Sequence, residues 1–454
     1  MNILATFTVP HPPLIVKEVG NGREKEIEKT KKSYEIIANE IGELKPDTII
    51  IISPHAPLYS DCFYISKGER LNGSFAKFGA SEVVFNEEVD TELEKEIVEI
   101  ANDNKIIINE GNQLLDHGSM VPLYFIRQKY QNFKVIVLGF SFLSLITNYQ
   151  MGKIVKKAID KINRKVVVIA SGDLSHKLKE YGPYGFEKEG PIYDEKIMDI
   201  LSNKRFNELL DFYEDYLDLV AECGHRSFIM MSGILDGIDV KAKMYSHEDV
   251  TGVGYGICSF YPEKEDSNRL YYDKYLANEK EKVKSSDEYV NLAKETIINY
   301  IKNNKIIDIP NNIPTELINN KSGVFVSIHE FGRLRGCIGT ICSTKENIAK
   351  EIIDNAISAA TKDPRFEIIT EDELDFLEVN VDVLSKPEEI DDESLLDPKK
   401  YGVIVTSGFK RGLLLPDLEG IDTVKEQIEI AMKKGNIYKD EKIRLERFTV
   451  DRHK

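Results

Sequence analysis

Tryptophan is absent from this chain of 454 residues, and histidine and cysteine are scarce, with eight and five copies. The cysteines are widely scattered, which excludes a small secreted domain stabilised by closely spaced disulfides. They stand at positions 62, 223, 258, 337 and 342. We therefore predict free thiols in a reducing compartment and expect the protein in the cytoplasm.

Long apolar runs and an excess of positive charge are also missing. The longest runs, such as Ile49–Ile52 and Val166–Ala170, are far shorter than the roughly 20 residues that cross a bilayer. The start, MNILATFTVP, has no basic region and no long apolar core, so we predict neither a signal peptide nor a membrane partner. Because 77 acidic residues outnumber 60 basic ones, giving a net charge of −17, we also exclude nucleic acid as a partner.

The first half of the chain alternates short β-branched segments with amphipathic ones. The predicted strands are Ile3–Val9, Thr48–Ser53, Lys134–Gly139 and Lys165–Ala170, with a later pair near Lys241–Ser246 and Gly254–Tyr261. Arg23–Ile41 and Thr91–Asn102 have helical patterns. This alternation predicts an α/β fold, in which helices flank a sheet whose strands are covered on both faces.

A change in composition divides the chain. Residues 263–286 are rich in charge and poor in core residues, so we predict a charged linker there, between a first domain at 1–262 and a second at 287–454. In the second domain the predicted helices are Tyr289–Asn303 and Asn347–Thr361, and the predicted strands are Gly323–Ile328, Cys337–Thr340, Val379–Leu384 and Val403–Thr406. This order predicts an α+β domain.

Four of the eight histidines follow a predicted strand or stand in a turn-like segment. They are His11 in VPHPPL, His55 in SPHAP, His117 in LLDHGSMVPLYF and His176 in ASGDLSH. Ligands of open α/β sheets bind beyond the carboxyl ends of the strands, so we predict that the four share one site. Neutral imidazole is the commonest metal ligand, and remaining histidines can act as acid and base.

The segment AECGHRSF offers two adjacent candidates for a further ligand. Apolar spacing predicts a helix that begins near Gly224, so Glu222 and Cys223 would stand at its amino end, where anions are stabilised. Either the carboxylate or the thiolate can complete a metal site with two histidines. His225, slightly further into the helix, is predicted to pack in the core or beside the site.

Two other features are predicted to lie outside the chemistry. His247 stands before a strand, and we expect it on the surface. The run GVGYG at Gly252–Gly256 leads into a strand rather than a helix, which argues against a nucleotide-binding loop. Its glycines instead predict a bulge or a close backbone approach near the site.

Five segments, in this order, carry a specific resemblance. VPHPP, SPHAP, LDHGSMVPL, SGDLSH and AECGHRS resemble segments of LigB-type class III extradiol dioxygenases and their Memo relatives, over about residues 1–262. The resemblance implies a mixed sheet flanked by helices and a centre that holds Fe(II) or another divalent metal. The implied reaction inserts both atoms of dioxygen beside a catechol-like diol of a small molecule and opens its ring.

The resemblance also implies roles for individual residues. His11 and His55 would bind the metal, and Glu222 or Cys223 would be the third ligand. His176 would be the catalytic acid and base, Asp173 would hold it in position, and His117 would orient dioxygen or substrate.

The third ligand separates alternative functions. It is a glutamate in the dioxygenases and a cysteine in the Memo relatives, and this chain has both side by side. One alternative is a dioxygen-independent metal enzyme that works with a radical-SAM partner. Another is a metal-free binding module of the Memo kind. The oligomeric state stays open.

The second domain carries its own motif. LRGCIG, followed by AISAATKDPRF, resembles the AMMECR family over about residues 285–454, and related chains join Memo-like and AMMECR-like domains beside a radical-SAM protein. Gly336 and Gly339 predict a tight turn with exposed amides. Arg335 would bind an anion, and Cys337 would be a nucleophile or a buried thiol.

Overall fold

A computed structural model describes residues 1–284, 287–418 and 420–454 of the chain. These residues form two compact units, Met1–Tyr275 and Leu276–Lys454, each described here by itself. The division falls inside the segment 263–286 for which a linker is predicted, where one helix covers Tyr271–Lys282. Residues 285 and 286 of that segment lie outside the described residues.

The first unit is built from ten strands and eight helices within its described residues. The strands are β1 (Ile3–Val9), β2 (Thr48–Ile52), β3 (Phe63–Ser66), β4 (Arg70–Phe75), β5 (Ala80–Glu88), β6 (Ile108–Gly111), β7 (Lys134–Gly139), β8 (Val166–Ser171), β9 (Ile238–Glu248) and β10 (Tyr255–Glu265). The helices are α1 (Lys17–Gly20), α2 (Glu28–Leu44), α3 (Thr91–Asp103), α4 (His117–Arg127), α5 (Leu145–Ile162), α6 (Glu189–Ser202), α7 (Glu214–Val220) and α8 (His225–Ile234).

Eight of these strands form one mixed sheet, in the order β6-β3-β7-β2-β8-β1-β10-β9. The four central strands β7, β2, β8 and β1 run parallel, and β10 and β9 continue antiparallel at one edge. β2 and β8 are buried along their whole length, as their Ile and Val residues require. The predicted α/β class with a mixed, helix-flanked sheet is confirmed, and the carboxyl ends of four strands meet at one edge.

Two helices of this unit approach one another unusually closely. A Cβ added at Gly152 of α5 would lie 2.0 Å from the carbonyl oxygen of Met230 in α8, and one at Gly233 would lie 2.0 Å from that of Tyr149. Only glycine fits at such a contact. The contact holds α8, whose amino end carries the AECGHRSF segment, against the body of the unit.

The second unit contains two four-stranded antiparallel sheets and helices packed against them. Its strands are β11 (Val324–Glu330), β12 (Arg333–Gly339), β13 (Leu377–Leu384), β14 (Glu388–Ile390), β15 (Gly402–Ser407), β16 (Lys410–Leu414), β17 (Arg444–Phe448) and β18 (Val450–His453). The helices after the boundary helix α9 (Tyr271–Lys282) are α10 (Glu288–Asn303), α11 (Thr315–Asn319), α12 (Ile348–Thr361) and α13 (Val424–Lys434). The sheet orders are β12-β11-β13-β18 and β14-β17-β15-β16, which confirms the predicted α+β class.

The predicted tight turn at Gly336 and Gly339 is wrong. Both glycines lie within β12, where a Cβ at Gly336 would come within 2.2 Å of the Ala359 carbonyl oxygen of α12. A Cβ at Gly339 would meet the ring of Phe325, its partner on β11, at 2.2 Å. The glycines therefore let a helix and an aromatic ring approach the strand.

None of the helices in the described part of the chain combines the length and the apolar character needed to cross a bilayer.

A buried carboxylate in α12 organises the loop after β12. Glu351 accepts hydrogen bonds from the Thr344 and Lys345 amides, both at 2.8 Å, and from the Thr340 hydroxyl at 2.7 Å. Burial alone would raise its pKa, but these hydrogen bonds outweigh burial and lower the pKa below its ordinary value of 4.5.

We expect Glu351→Gln to destabilise the second unit by about 2 kcal/mol at pH 7, because charge-assisted hydrogen bonds are lost. Since the folded pKa lies below the unfolded value, this contribution is complete above about pH 4.5 and disappears as the pH falls through the folded pKa. Hydrogen exchange at the Thr344 and Lys345 amides measures the effect. Glu346→Gln is the control, since Glu346 is exposed and pairs only with Lys350 among the described residues.

Candidate functional site

The edge of the sheet where the parallel strands end gathers the four predicted histidines. His11 follows β1, His55 follows β2, His176 follows β8, and His117 is the first residue of α4. The rings of His11, His55 and His117 contact one another, with centroid distances of 4.0 to 5.3 Å. The shared location predicted from the strand ends is the one found.

Hydrogen bonds fix the orientation of the buried His11 ring. Its Nδ1 lies 3.0 Å from the Ser171 hydroxyl, which donates its only proton to the carbonyl oxygen of Gly118 at 2.6 Å. The hydroxyl therefore accepts from Nδ1–H of His11, and the lone pair of this ring is on Nε2. That Nε2 atom lies 3.0 Å from Nε2 of His55. Burial lowers the pKa of His11 well below its usual value, so the ring is neutral and able to bind a metal.

Cys223 reaches the same place from the amino end of α8. Its Sγ lies 3.7 Å from Nε2 of His11 and accepts a hydrogen bond from the Asp173 amide at 3.2 Å. One donor atom each from His11, His55 and Cys223 lie within 4.8 Å of one another, and the same holds for Asp173, His176 and Cys223. Burial raises the pKa of the Cys223 thiol well above its usual value.

The neighbouring Glu222 points elsewhere. Its carboxylate accepts a hydrogen bond of 2.5 Å from the backbone amide of His225 and so caps the first turn of α8. Burial raises its pKa to about 7, against the opposing effect of that amide. Glu222 belongs to neither of the two donor clusters found among the described residues. Of the two adjacent candidates, only Cys223 is brought to the histidines.

A contact between two glycines brings Cys223 to the loop after β8. A Cβ at Gly172 would lie 2.0 Å from the Cα of Gly224, and the Gly224 amide donates to the Asp173 carbonyl at 3.1 Å. Any larger residue at either position would push the amino end of α8 away from this loop. In the sequence this contact is marked by two glycines: Gly172 directly precedes Asp173 in SGDLSH, and Gly224 directly follows Cys223 in ECGH.

Asp173 stands between two histidines without a direct hydrogen bond to either ring. Its Oδ2 is 3.9 Å from Nε2 of His176 and 4.0 Å from Nε2 of His11, while Oδ1 accepts the His11 amide at 2.8 Å. The predicted holding of His176 by Asp173 is therefore not a direct hydrogen bond in this arrangement. Burial raises the pKa of Asp173 to about 7, opposed by the His11 amide.

His176 has a free nitrogen at the bottom of the site. Its Nε2 is buried and has no hydrogen-bond partner among the described residues. Burial, followed by the charge of a nearby His55, lowers its pKa to about 4. A neutral imidazole with an unsatisfied nitrogen is arranged to accept or donate a proton when a ligand arrives.

A cavity of about 440 Å³ opens above these groups. Its lining includes His11, His55, His117, Asp173 and His176, the charged side chain of Arg23, and apolar and aromatic side chains such as Pro12, Pro13, Val253, Phe78, Tyr184 and Tyr255. Phe78, at the tip of the β4–β5 hairpin, contacts the His117 ring, and Tyr184 contacts the His176 ring, with centroid distances of 5.4 and 5.0 Å. No sequence pattern marks these two aromatic residues: Phe78 lies between motifs, and Tyr184 follows His176 by eight positions without a recognisable spacing. The size and lining suit a small, flat organic ligand.

The two remaining histidines of this unit behave differently from one another. His225 is fully buried, with Nε2 2.9 Å from the Leu209 carbonyl oxygen and Nδ1 3.2 Å from the Tyr193 hydroxyl, so it packs in the core as predicted. His247 is half-buried, with 28% of its side chain exposed, and its ring pairs with the buried carboxylate of Asp194 at 3.1 Å, a partner that the sequence did not predict.

Arg335 and Cys337 of the LRGCIG motif form hydrogen bonds within the second unit. Arg335 donates to the Glu373 carboxylate at 2.6 Å and to the Glu367 carbonyl oxygen at 2.6 Å, so the anion it binds belongs to the same unit. Cys337 accepts a hydrogen bond from the Ser327 hydroxyl at 3.2 Å, and its amide donates to Asp363 at 2.9 Å. The half-buried thiol is thus part of a hydrogen-bonded sheet surface.

The donors of the first unit fit a divalent metal ion. Two imidazole nitrogens that each bind one ion at about 2.1 Å lie roughly 3 to 3.5 Å apart, as the Nε2 atoms of His11 and His55 do at 3.0 Å. A thiolate is a further ligand for first-row metals. The hydrogen bond from His11 Nδ1 to Ser171 is the outer support that metal-binding histidines commonly have.

Comparison with known proteins agrees with this architecture. The model of the family described as the catalytic LigB subunit of aromatic ring-opening dioxygenase matches residues 5–258, and the AMMECR1 model matches residues 290–453. "Protein CA_C1420" of Clostridium acetobutylicum is 41% identical over 471 aligned positions, which cover all of both chains. A protein of Thermotoga maritima is 53% identical over 168 positions, covering 37% of this chain and 97% of that one.

A solved structure, that of uncharacterized protein PH0010 from Pyrococcus horikoshii, is 31% identical and covers 36% of this chain and 88% of that one, with a TM-score of 0.34. The family models cover both units, and the Clostridium relative extends over the complete length. The chain therefore belongs to the family of the catalytic LigB subunit of aromatic ring-opening dioxygenase, with an AMMECR1 domain fused in its second half.

Proposed function

We propose that the first unit is a metal-dependent oxidoreductase that opens the ring of a catechol-like small molecule. The observation that carries the proposal is the convergence of donor atoms from His11, His55 and Cys223, with Asp173 and His176 beside Cys223. Four of these residues, all except Cys223, line one cavity. Membership of the LigB family supports the reaction type.

In this proposal His11, His55 and Cys223 hold a divalent ion, with ferrous iron as the expected metal. A bound ion supplies the Lewis acidity and redox chemistry on which ring opening depends. A thiol ligand must stay reduced, which supports the predicted cytoplasmic location.

His176 is the proposed acid and base. His176 lines the cavity, and its Nε2 lacks a hydrogen-bond partner among the described residues, so the proposal assigns to this nitrogen the proton of a substrate hydroxyl. The lowered pKa keeps the imidazole neutral at pH 7 before substrate binds, which is the state that accepts a proton. The same nitrogen can return the proton to the leaving oxygen.

The remaining cavity residues would select and orient the substrate. The His117 ring is stacked on that of His55 and has a pKa lowered to about 3 by burial, so it offers a neutral flat surface beside the metal ligands. Phe78 and Tyr184 supply aromatic walls further out. Together they favour a planar ring over an extended or bulky ligand.

The test is anaerobic purification with reconstitution in ferrous iron, metal analysis, and then addition of a panel of catechols with dioxygen. We expect about one ion per chain, ring-opened products, and loss of both metal and products in His11→Ala, because a ligand is removed. His329→Ala, which removes a half-buried histidine of the second unit, is the matched control. Unchanged metal content in His11→Ala would show the ligand assignment to be wrong.

One observation favours a second candidate, a metal enzyme that does not consume dioxygen and works with a radical-SAM protein. It is the thiol of Cys223 at the position where a carboxylate ligand is expected for ring-opening enzymes. The presence of a radical-SAM gene beside the gene for this chain, binding of its purified product, and no dioxygen uptake over the catechol panel would support it. Ring opening with saturable kinetics would overturn it in favour of the first.

A further inference from the structure

The loop that carries Asp173 and His176 is held on two sides by backbone hydrogen bonds. The Leu174 amide donates to Gly254 at 2.9 Å, and the Gly254 amide donates to the Ser175 carbonyl at 2.9 Å. On the other side, the Ser175 hydroxyl donates to the Val220 carbonyl oxygen at 2.9 Å. The His176 amide itself donates to the Val220 carbonyl oxygen at 3.3 Å, so the backbone of Ser175 and that of His176 are both held.

A single carboxylate from another helix completes this support. Asp194 of α6 is buried, with 2% of the residue exposed, and its Oδ1 accepts the Ser175 amide at 2.9 Å. Its Oδ2 is paired with Nε2 of His247 on β9 at 3.1 Å. The ring of His247 is 28% exposed, so it stands between the buried carboxylate and solvent.

The glycine run at the start of β10 leaves room for the Asp194 carboxylate. A Cβ at Gly254 would lie 1.9 Å from Oδ2 of Asp194, so no other residue fits there while the carboxylate keeps its place. Gly252 likewise approaches Gly182 closely, with 2.7 Å from its added Cβ to the Gly182 Cα. The glycine run was predicted to allow a close backbone approach. The groups that approach it are the Asp194 carboxylate, at Gly254, and the backbone of Gly182, at Gly252.

Burying a carboxylate is costly unless hydrogen bonds compensate it. Burial raises the pKa of Asp194, and the hydrogen bond with His247 opposes that rise. Meanwhile Asp173, the nearest carboxylate to His176 in the chain, is 3.9 Å from its ring and binds the His11 amide instead. Asp173 therefore does not hold the His176 ring by a direct hydrogen bond.

We propose that Asp194, held in place by His247, is the positioning residue for His176. Asp194 fixes the Ser175 amide, and with it the direction in which the next side chain projects into the cavity. This inference deepens the proposed function, since it assigns the support of the same acid and base, and neither residue lines the cavity.

The experiment uses the full chain loaded with zinc, which is diamagnetic, and labelled with ¹⁵N in its histidine rings. The His176 resonance is assigned by its loss in His176→Gln. In Asp194→Ala we expect this resonance to shift and broaden, and in the iron-loaded chain we expect kcat for ring opening to fall about tenfold with KM unchanged. Asp194→Asn should restore both, because an amide can accept from Ser175 and donate to His247.

Two further variants separate positioning from folding. Asp199→Ala removes an exposed carboxylate of the same helix and should leave the His176 resonance unchanged. His247→Leu keeps Asp194 but removes its partner and should reproduce a smaller shift, which covers the case in which Asp194→Ala does not fold. An unshifted, narrow His176 resonance in folded Asp194→Ala overturns the proposal. A response of the resonance in a chain that opens no ring would uphold the positioning and reject the proposed reaction.

Discussion

Replacing Cys223 by serine is expected to lower the affinity of the first unit for a divalent ion by at least about a hundredfold, more than loss of an outer supporting residue costs. The reason is geometric, because Sγ of Cys223 completes a cluster with His11 and His55 whose donor atoms lie within 4.8 Å of one another. Serine keeps the size of the side chain but replaces a thiolate by a poorly ionised hydroxyl. Titration of the anaerobic apoprotein with ferrous iron or zinc measures the affinity.

Glu222→Gln is the matched variant for this prediction. The Glu222 carboxylate accepts from the His225 amide and is absent from both donor clusters of the described residues, so the affinity should stay close to that of the unchanged chain. Glutamine retains an acceptor for that amide, so α8 keeps its cap. The opposite ranking, with Glu222→Gln the more damaging change, would reject Cys223 as the ligand in favour of its neighbour.

Gly172→Ala is expected to lower both the stability of the first unit and its metal affinity. Its Cβ would lie 2.0 Å from the Cα of Gly224, so either the loop after β8 or the amino end of α8 must move. We expect the free energy of unfolding of the first unit to fall by about 3 kcal/mol, the upper range for overpacking a buried contact. Metal affinity should fall as well, since the hydrogen bond from Asp173 to Cys223 is lost.

Urea unfolding with and without metal measures both effects. Gly42→Ala provides the control, because its Cβ would meet nothing closer than 3.5 Å and lies within α2. There alanine should stabilise the helix by up to about 1 kcal/mol. A Gly172→Ala protein with native stability and native metal affinity would show that the glycine contact does not position Cys223.

The four-histidine cluster could be predicted from the sequence because the pattern that indicates it, a histidine shortly after a strand, is a local one. Each of His11, His55 and His176 stands a few residues beyond a buried strand, and parallel strands bring their carboxyl ends to one edge. The same reasoning could not predict which of the adjacent residues Glu222 and Cys223 joins the histidines. Neighbouring side chains at the start of a helix point in different directions, and the choice depends on how close Gly172 lets that helix come.

Long-range pairing explains what the sequence did not reveal. His247 meets Asp194 across 53 positions of the chain, and nothing in YSHED indicates a buried partner. The motif LRGCIG suggested a turn because glycines are common in turns, yet Gly336 and Gly339 serve contacts with α12 and Phe325. In both cases the environment of the residue depends on a neighbour that is distant in the chain, which the local sequence does not reveal.

The proposed ligands lie far apart in the chain, since His55 is 44 and Cys223 212 positions from His11. Such donors converge only when β1, β2 and α8 are all in place, so an ion held by them would bind the folded unit and would have no comparable site on the unfolded chain. Thermodynamic linkage then makes the stability of the first unit depend on the free-ion concentration, by about 2.7 kcal/mol at one hundred times the dissociation constant. A cell that withholds the metal would leave this unit more open to proteolysis, which would make protein abundance a readout of metal supply.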